Sequence, residues 1–235
     1  MLYIFRLILL GLTFPILLII GMVICIARPF HKNNSYLCVR LIAQVSRKIL
    51  GLKIEARNLD LISTSTPGVV IANHQSNLDL IVHGSIVPQN IVAIGKHSLA
   101  FIPIFGQLYW LAGNILINRK QFKKSMAAMA KTARKIQKEH IKLWVYPEGS
   151  RNRKTTLNGF KRGAFVMADK AKCPVIPICT SKYVGKINFN RWHSGTIKIE
   201  VLCPVKSKSE TKTGKNEISE IQDLMQQKIN QLSAE

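Results

Sequence analysis

The sequence predicts an α/β fold: a mixed sheet flanked by helices and preceded by a membrane-anchoring helical segment. Three observations lead there. From residue 68 onward, short runs rich in Val, Ile and Leu alternate with helix-like stretches. Residues 7–27 carry no charge. A formal charge of +22 accompanies a hydrophobic fraction of 47%, a pairing that leans towards a membrane surface. Strand–helix alternation is the pattern of a sheet covered by helices, and 235 residues suffice for one such domain with an accessory segment. The expected division is an anchor over 1–52, an α/β domain over 53–207 and a polar tail with a helix over 208–235.

The first element is the run LILLGLTFPILLIIGMVICIA. About 20 apolar residues are needed to cross or deeply enter a bilayer, so a membrane helix is expected, kinked or broken into two half-helices at Pro15. A cleaved leader would have a shorter apolar region, roughly 7–15 residues, and Cys25-Ile26-Ala27 is a poor cleavage site. Arg6 precedes the run, whereas Arg28, Lys32, Arg40, Arg47, Lys48 and Lys53 follow it. The positive-inside rule then leaves the rest of the chain cytoplasmic. In YLCVRLIAQVSRKILG, Leu37, Leu41, Val45 and Ile49 recur every four residues opposite basic ones. That predicts an amphipathic helix on anionic headgroups, or one packed on the domain, ended by Gly51.

Strands are expected at 68–72, 91–94, 114–117, 142–146, 175–178 and 196–202, and helices near 78–87, 97–111, 121–139, 160–172 and 216–232. Such a positive excess attracts polyanions of any kind, so charge alone does not choose a partner. A membrane-tethered nucleic-acid binder would use the charge, but no binding motif with interleaved aromatics accompanies it, and no nucleic-acid partner is expected. The five cysteines form no CxxC pair and no zinc spacing with the histidines, which fits a reducing compartment and no metal site.

Functional groups in α/β folds gather in the loops beyond the strand ends. Four constellations sit there: Asn73-His74 through Asp79, GNILINR ending at Arg119, YPEGSRN at 146–152 followed by Lys161, and CPVIPI at 173–178. On a regular helix, residues five apart point to different sides. His74 and Asp79 can therefore meet only if a strand, a sharp turn and a helix start lie between them. Each residue alone could be ordinary: His74 a structural histidine, Asp79 a residue favouring a helix start, Glu148 and Arg151 a surface ion pair, Arg119 and Lys161 solvated charges. Their shared position after apolar strand-like runs argues otherwise.

In order and spacing, these blocks resemble those of the glycerolipid acyltransferases, above all the bacterial 1-acyl-sn-glycerol-3-phosphate acyltransferases. NHQSNLD matches their N-H-x-x-x-x-D block, GNILINR their G-x-x-F/I-x-x-R block, YPEGSR their F-P-E-G-T-R block and PVIPI their late proline-bracketed block. Departures are Tyr146 for Phe, Ser150 for Thr, and Asn118 where an acidic residue often precedes the arginine.

The resemblance implies acyl transfer from a thioester, acyl-CoA or acyl carrier protein, to the sn-2 hydroxyl of lysophosphatidic acid. It implies a glycerolipid acyltransferase-like fold with no cofactor in a bacterial cell, where the charge pattern above places the domain at the cytoplasmic face of the inner membrane with anionic lipids as partners. His74 would be the general base and Asp79 would orient it. Arg119 would hold the acceptor's phosphate, with Arg151 and Lys161 as further candidates, while Glu148, Gly149 and Ser150 would complete the substrate pocket. Another lysophospholipid or glycerol 3-phosphate is the alternative acceptor. A serine nucleophile is disfavoured, because neither Ser76 nor Ser150 sits in a GxSxG elbow.

Overall fold

The computed structural model describes residues 1–64, 67–117, 122–206 and 213–235. Helices α1 (Leu2–Ala27) and α2 (Asn34–Ile49) lead into strand β1 (Leu52–Arg57), the short α3 (Asp60–Thr64) and β2 (Gly68–Ala72). Then come α4 (Asp79–Gly84), β3 (Ile91–Lys96), a 3-10 turn (His97–Phe101), α5 (Phe105–Leu111) and β4 (Ile115–Ile117). The chain continues through α6 (Phe122–Glu139), β5 (Lys142–Val145), α7 (Gly163–Lys170), β6 (Pro174–Thr180), β7 (Gly195–Val201), β8 (Val205–Lys206) and α8 (Thr213–Ala234).

The strands form one mixed sheet in the order β1-β7-β6-β2-β5-β3-β4, with β8 beside β6. All described pairings are parallel except β6 with β7 and β6 with β8. Strand β2 lies between β5 and β6 and is wholly buried, so GVVIA reads as a continuous apolar run rather than an alternating one. Its residues still alternate between faces. Val69 and Ile71 pack with Ala133, Ile136, Phe165 and Met225 from α6, α7 and α8. Val70 and Ala72 pack with Val82 of α4, Ile86 and Tyr183 on the other face. A third cluster joins α1, α2 and α5 through Leu17, Leu18, Cys25, Cys38, Ile42 and Leu108.

Several expectations need correction. Helix α1 continues through Pro15, so there are no half-helices. In α2 the buried residues are Asn34, Ser35, Cys38, Ile42, Ala43 and Ser46, while Leu37, Leu41, Val45 and Ile49 are only half-buried. Of the two readings of α2, packing on the domain is the one observed, with the helix lying against α1 and α4 on a stripe offset from those four residues. The helix expected over 97–111 is split, because Pro103 cannot supply the N–H a continuous helix needs. Strands β1 and β8 were not foreseen. In β1, Lys53, Glu55 and Arg57 alternate with apolar residues, the period-2 pattern of a half-exposed edge strand rather than the continuous apolar run of a buried one.

Gly51 adopts φ +65° just after α2, as a helix-ending glycine should. A side chain there would also collide with the Trp192 carbonyl and the Arg6 guanidinium. Arg6, the only charge in α1, is buried under the loop before β7. Its guanidinium donates to the carbonyls of Phe189 (2.9 Å), Arg191 (2.9 Å) and Trp192 (2.7 Å) and to Ser194 Oγ (2.6 Å).

Candidate active site

The site lies beyond the C-terminal end of β2. The strand stops at Ala72, the chain turns through Ser76 and Asn77, and α4 begins at Asp79. The bend required by the five-residue spacing is present: His74 Nδ1 lies 2.6 Å from Asp79 Oδ2. The same oxygen accepts backbone N–H bonds from Gln75 (2.7 Å) and Ser76 (3.0 Å). An ionised carboxylate there makes Nδ1 the protonated nitrogen, which leaves Nε2 with a free lone pair.

Burial pushes the Asp79 carboxyl up. The hydrogen bond from His74, the field of His83, the hydrogen bond from Tyr183 and the field of His74 outweigh it and hold Asp79 below the usual carboxylate range. Tyr183, from the loop after β6, donates to Asp79 Oδ1 at 2.6 Å and stands 2.9 Å from Ser76 Oγ. The backbone beside His74 is fastened to β6 as well. Asn73 exchanges hydrogen bonds with the Thr180 backbone, both 2.9 Å, and Gln75 Nε2 donates to the Ser181 carbonyl at 2.9 Å.

Glu148 is 3% exposed and does not line the cavity beside His74, so its carboxylate is not open to a substrate phosphate or glycerol as the resemblance implied. Oε1 accepts the His74 backbone N–H at 3.1 Å, while Oε2 accepts from Asn152 Nδ2 and the Asn158 N–H, both 2.9 Å. It seats the loop that carries His74. Gly149 closes the turn, its N–H on the Tyr146 carbonyl at 3.1 Å with φ +77°. A Cβ on Gly149 would meet Lys161 Nζ at 2.9 Å, so the lysine stem lies across the glycine. Ser150 and Arg151 are exposed and line the cavity. Arg119, like Asn118, lies outside the described residues.

That cavity measures about 940 Å³, at the upper end of the range for small-molecule sites. Polar groups gather where His74, Asp79, Ser150 and Arg151 meet it. The remainder is largely apolar, with Leu18, Ile42, Val87, Ile94 and Leu108 among its walls. A paired imidazole and carboxylate beside cationic groups, opening on an apolar chamber, can deprotonate an alcohol on an amphiphile with an anionic head.

A family model described as acyltransferase matches residues 53–181. A 1-acyl-sn-glycerol-3-phosphate acyltransferase of Escherichia coli is 36% identical over 239 residues, covering 100% of this chain and 96% of that protein. This chain belongs to the 1-acyl-sn-glycerol-3-phosphate acyltransferase family. Another relative of this name, from Haemophilus influenzae, is 37% identical over 80% of this chain and 78% of its own length. The human alpha form is 33% identical over 80% of this chain and 67% of its own. The crystal structure of the 1-acyl-sn-glycerophosphate (LPA) acyltransferase from Thermotoga maritima superposes with a TM-score of 0.70, covering 87% of this chain and 82% of that one at 18% identity. It supports the fold of this acyltransferase.

Sequence reasoning missed Tyr183, Asn152 and Asn158. Tyr183 stands alone in SKYVG with no spacing to mark it. Asn73 and Gln75, which flank the histidine at the end of an apolar strand, were detectable as polar residues where the core should continue.

Proposed function

We propose that this acyltransferase moves a fatty acyl group from acyl-CoA or acyl carrier protein to the sn-2 hydroxyl of lysophosphatidic acid, producing phosphatidic acid. The observation that carries the reading is the 2.6 Å His74–Asp79 contact where a large apolar cavity becomes polar. His74 Nε2 takes the hydroxyl proton as the oxygen attacks the thioester carbonyl. The tetrahedral intermediate then expels the thiolate, and the imidazolium returns the proton to it. Asp79 stays ionised and stabilises the imidazolium throughout. Arg151, which lines the cavity, holds the phosphate through charge-assisted hydrogen bonds, and Lys161, exposed beside Gly149 but outside the lining, is the further candidate. Arg119 joins them by resemblance, and the apolar chamber takes an acyl chain.

Membrane association rests on α1, which is long and apolar enough to cross a bilayer. One face, including Phe5, Ile8, Leu12, Ile16, Ile19 and Val23, is exposed. The opposite face and both ends are held by the domain. Arg6 is bound under the loop before β7, and beyond the far end the Phe30 N–H donates to the Leu111 carbonyl at 2.9 Å. A helix bound at both ends to a cytoplasmic domain suits burial in the inner leaflet better than a span. The apolar face then meets lipid, and nearby basic residues meet anionic headgroups.

The test is thiol release from acyl-CoA by purified protein in vesicles, dependent on lysophosphatidate and compared across other lysophospholipids and glycerol 3-phosphate. His74→Ala should cost roughly 10²–10⁴ in rate. An unchanged rate refutes the assignment of the base.

A further inference from the structure

Asp79 holds one edge of the His74 ring and leaves one motion free. A hydrogen bond in the plane of an imidazole defines an axis through Nδ1, and rotation about it carries Nε2 out of line. The Tyr146 ring lies flat against His74, with centroids 4.0 Å apart and planes inclined by 14°. It blocks that rotation from one face.

Tyr146 is itself held. Its hydroxyl is 2.9 Å from His83 Nδ1, and His83 Nε2 is 2.8 Å from Thr180 Oγ1. His83 is buried in α4, four residues after Asp79, so one short helix supplies both the carboxylate and the second histidine. The Thr180 N–H donates to Asn73, the neighbour of His74, at 2.9 Å, which closes the loop of contacts. Position 146 is also a departure from the acyltransferase block. A Phe there could stack but could not bond to His83, and this chain has both the hydroxyl and its partner.

We propose that Tyr146 and His83 are positioning residues for His74, locking the plane of the imidazole while Asp79 locks its edge. Neither touches the reacting hydroxyl. The inference rests on His74 being the base, as argued above.

Steady-state kinetics on the full-length protein in vesicles tests it. Tyr146→Leu removes the stack and should lower kcat about 10²-fold, the scale of a 1 Å misplacement, with little change in KM for lysophosphatidate. Tyr146→Phe keeps the ring and strands His83 Nδ1. His83→Gln keeps a polar atom for Thr180 and strands the tyrosine hydroxyl. Each should lower kcat about 3- to 10-fold, and the double variant should lose no more than the worse single variant, because both substitutions break the same Tyr146–His83 hydrogen bond. Wild-type kcat in Tyr146→Leu overturns the proposal, as do losses that multiply in the double variant or appear only in KM or melting temperature. His74→Ala run alongside separates the readings. Its inactivity beside an active Tyr146→Leu sinks the pair and spares the base, whereas an active His74→Ala sinks both.

Discussion

Tyr183 donates a 2.6 Å hydrogen bond to Asp79 Oδ1, the carboxylate oxygen that faces away from His74. The two residues are 104 apart in sequence, and both are almost fully buried. Hydrogen bonds to buried charges contribute about 1.5–3 kcal/mol, and a stranded acceptor costs a similar amount. Tyr183→Phe should therefore lower the unfolding free energy read from urea denaturation by that amount and reduce kcat about tenfold as Asp79 loses its fixed orientation.

Asp79→Asn should be milder than Asp79→Ala. The backbone N–H groups of Gln75 and Ser76 bind the oxygen that also meets His74. A carboxamide can leave its oxygen there and turn its NH₂ towards Tyr183. The imidazole tautomer then survives and only the negative charge is lost. We expect about 10²-fold lower kcat for Asn and about 10⁴-fold for Ala, which also loses the orienting contact. Equal losses in a kcat comparison would mean that the amide flips.

Stability should fall as pH drops from 6.5 to 4. Burial lowers the His83 pKa from 6.5 to about 4, opposed by Asp79 and reinforced by His74. The unfolded chain therefore takes up this proton first, and the stabilisation present above 6.5 is lost as pH falls. The loss is on the order of 3 kcal/mol at pH 4. Denaturant midpoints across this range should show it, and His83→Gln should flatten the slope.

Glu148→Gln should act on structure first. All three donors on Glu148 are N–H groups, and an amide nitrogen would face at least one of them. A cost of about 1–3 kcal/mol follows, with kcat reduced and KM for lysophosphatidate little changed. A KM effect alone would instead put Glu148 in contact with substrate.

Arg6→Met should release the end of α1. Three backbone carbonyls and Ser194 Oγ would lose their donor, so limited proteolysis of vesicle-bound protein should expose new cleavage within 188–194. An unchanged digestion pattern would show that apolar packing alone holds the helix.

Much of the fold was legible because buried strands are short apolar runs and the stretches between them carry helix-compatible patterns, although α4, α5 and α7 are short. Six strands fall where such runs are. The edge strand β1 was missed although Lys53, Glu55 and Arg57 alternate with Leu52, Ile54 and Ala56, the period of a half-exposed strand, because it is not a continuous apolar run. Helix α2 was legible as amphipathic, but its inward face was misread. Leu37, Leu41, Val45 and Ile49 are more apolar than Asn34 and Ser35, yet it is the latter two that are buried. Asn34 donates to the Arg28 carbonyl and Ser35 to Asn114, while Gly21 of α1 and Gly84 of α4 come close to Cys38 and Ala43.

The sequence by itself determined the order of the six apolar strands, the apolar amino-terminal helix and the meeting of His74 with Asp79. That meeting spans five residues, so a single local turn suffices to make it. Only the tertiary structure decided what surrounds the pair. Tyr183, Thr180, Tyr146 and Glu148 reach it because β6 and β5 flank β2 in the sheet, and strand order is set by the packing of the whole core rather than by any short stretch of chain.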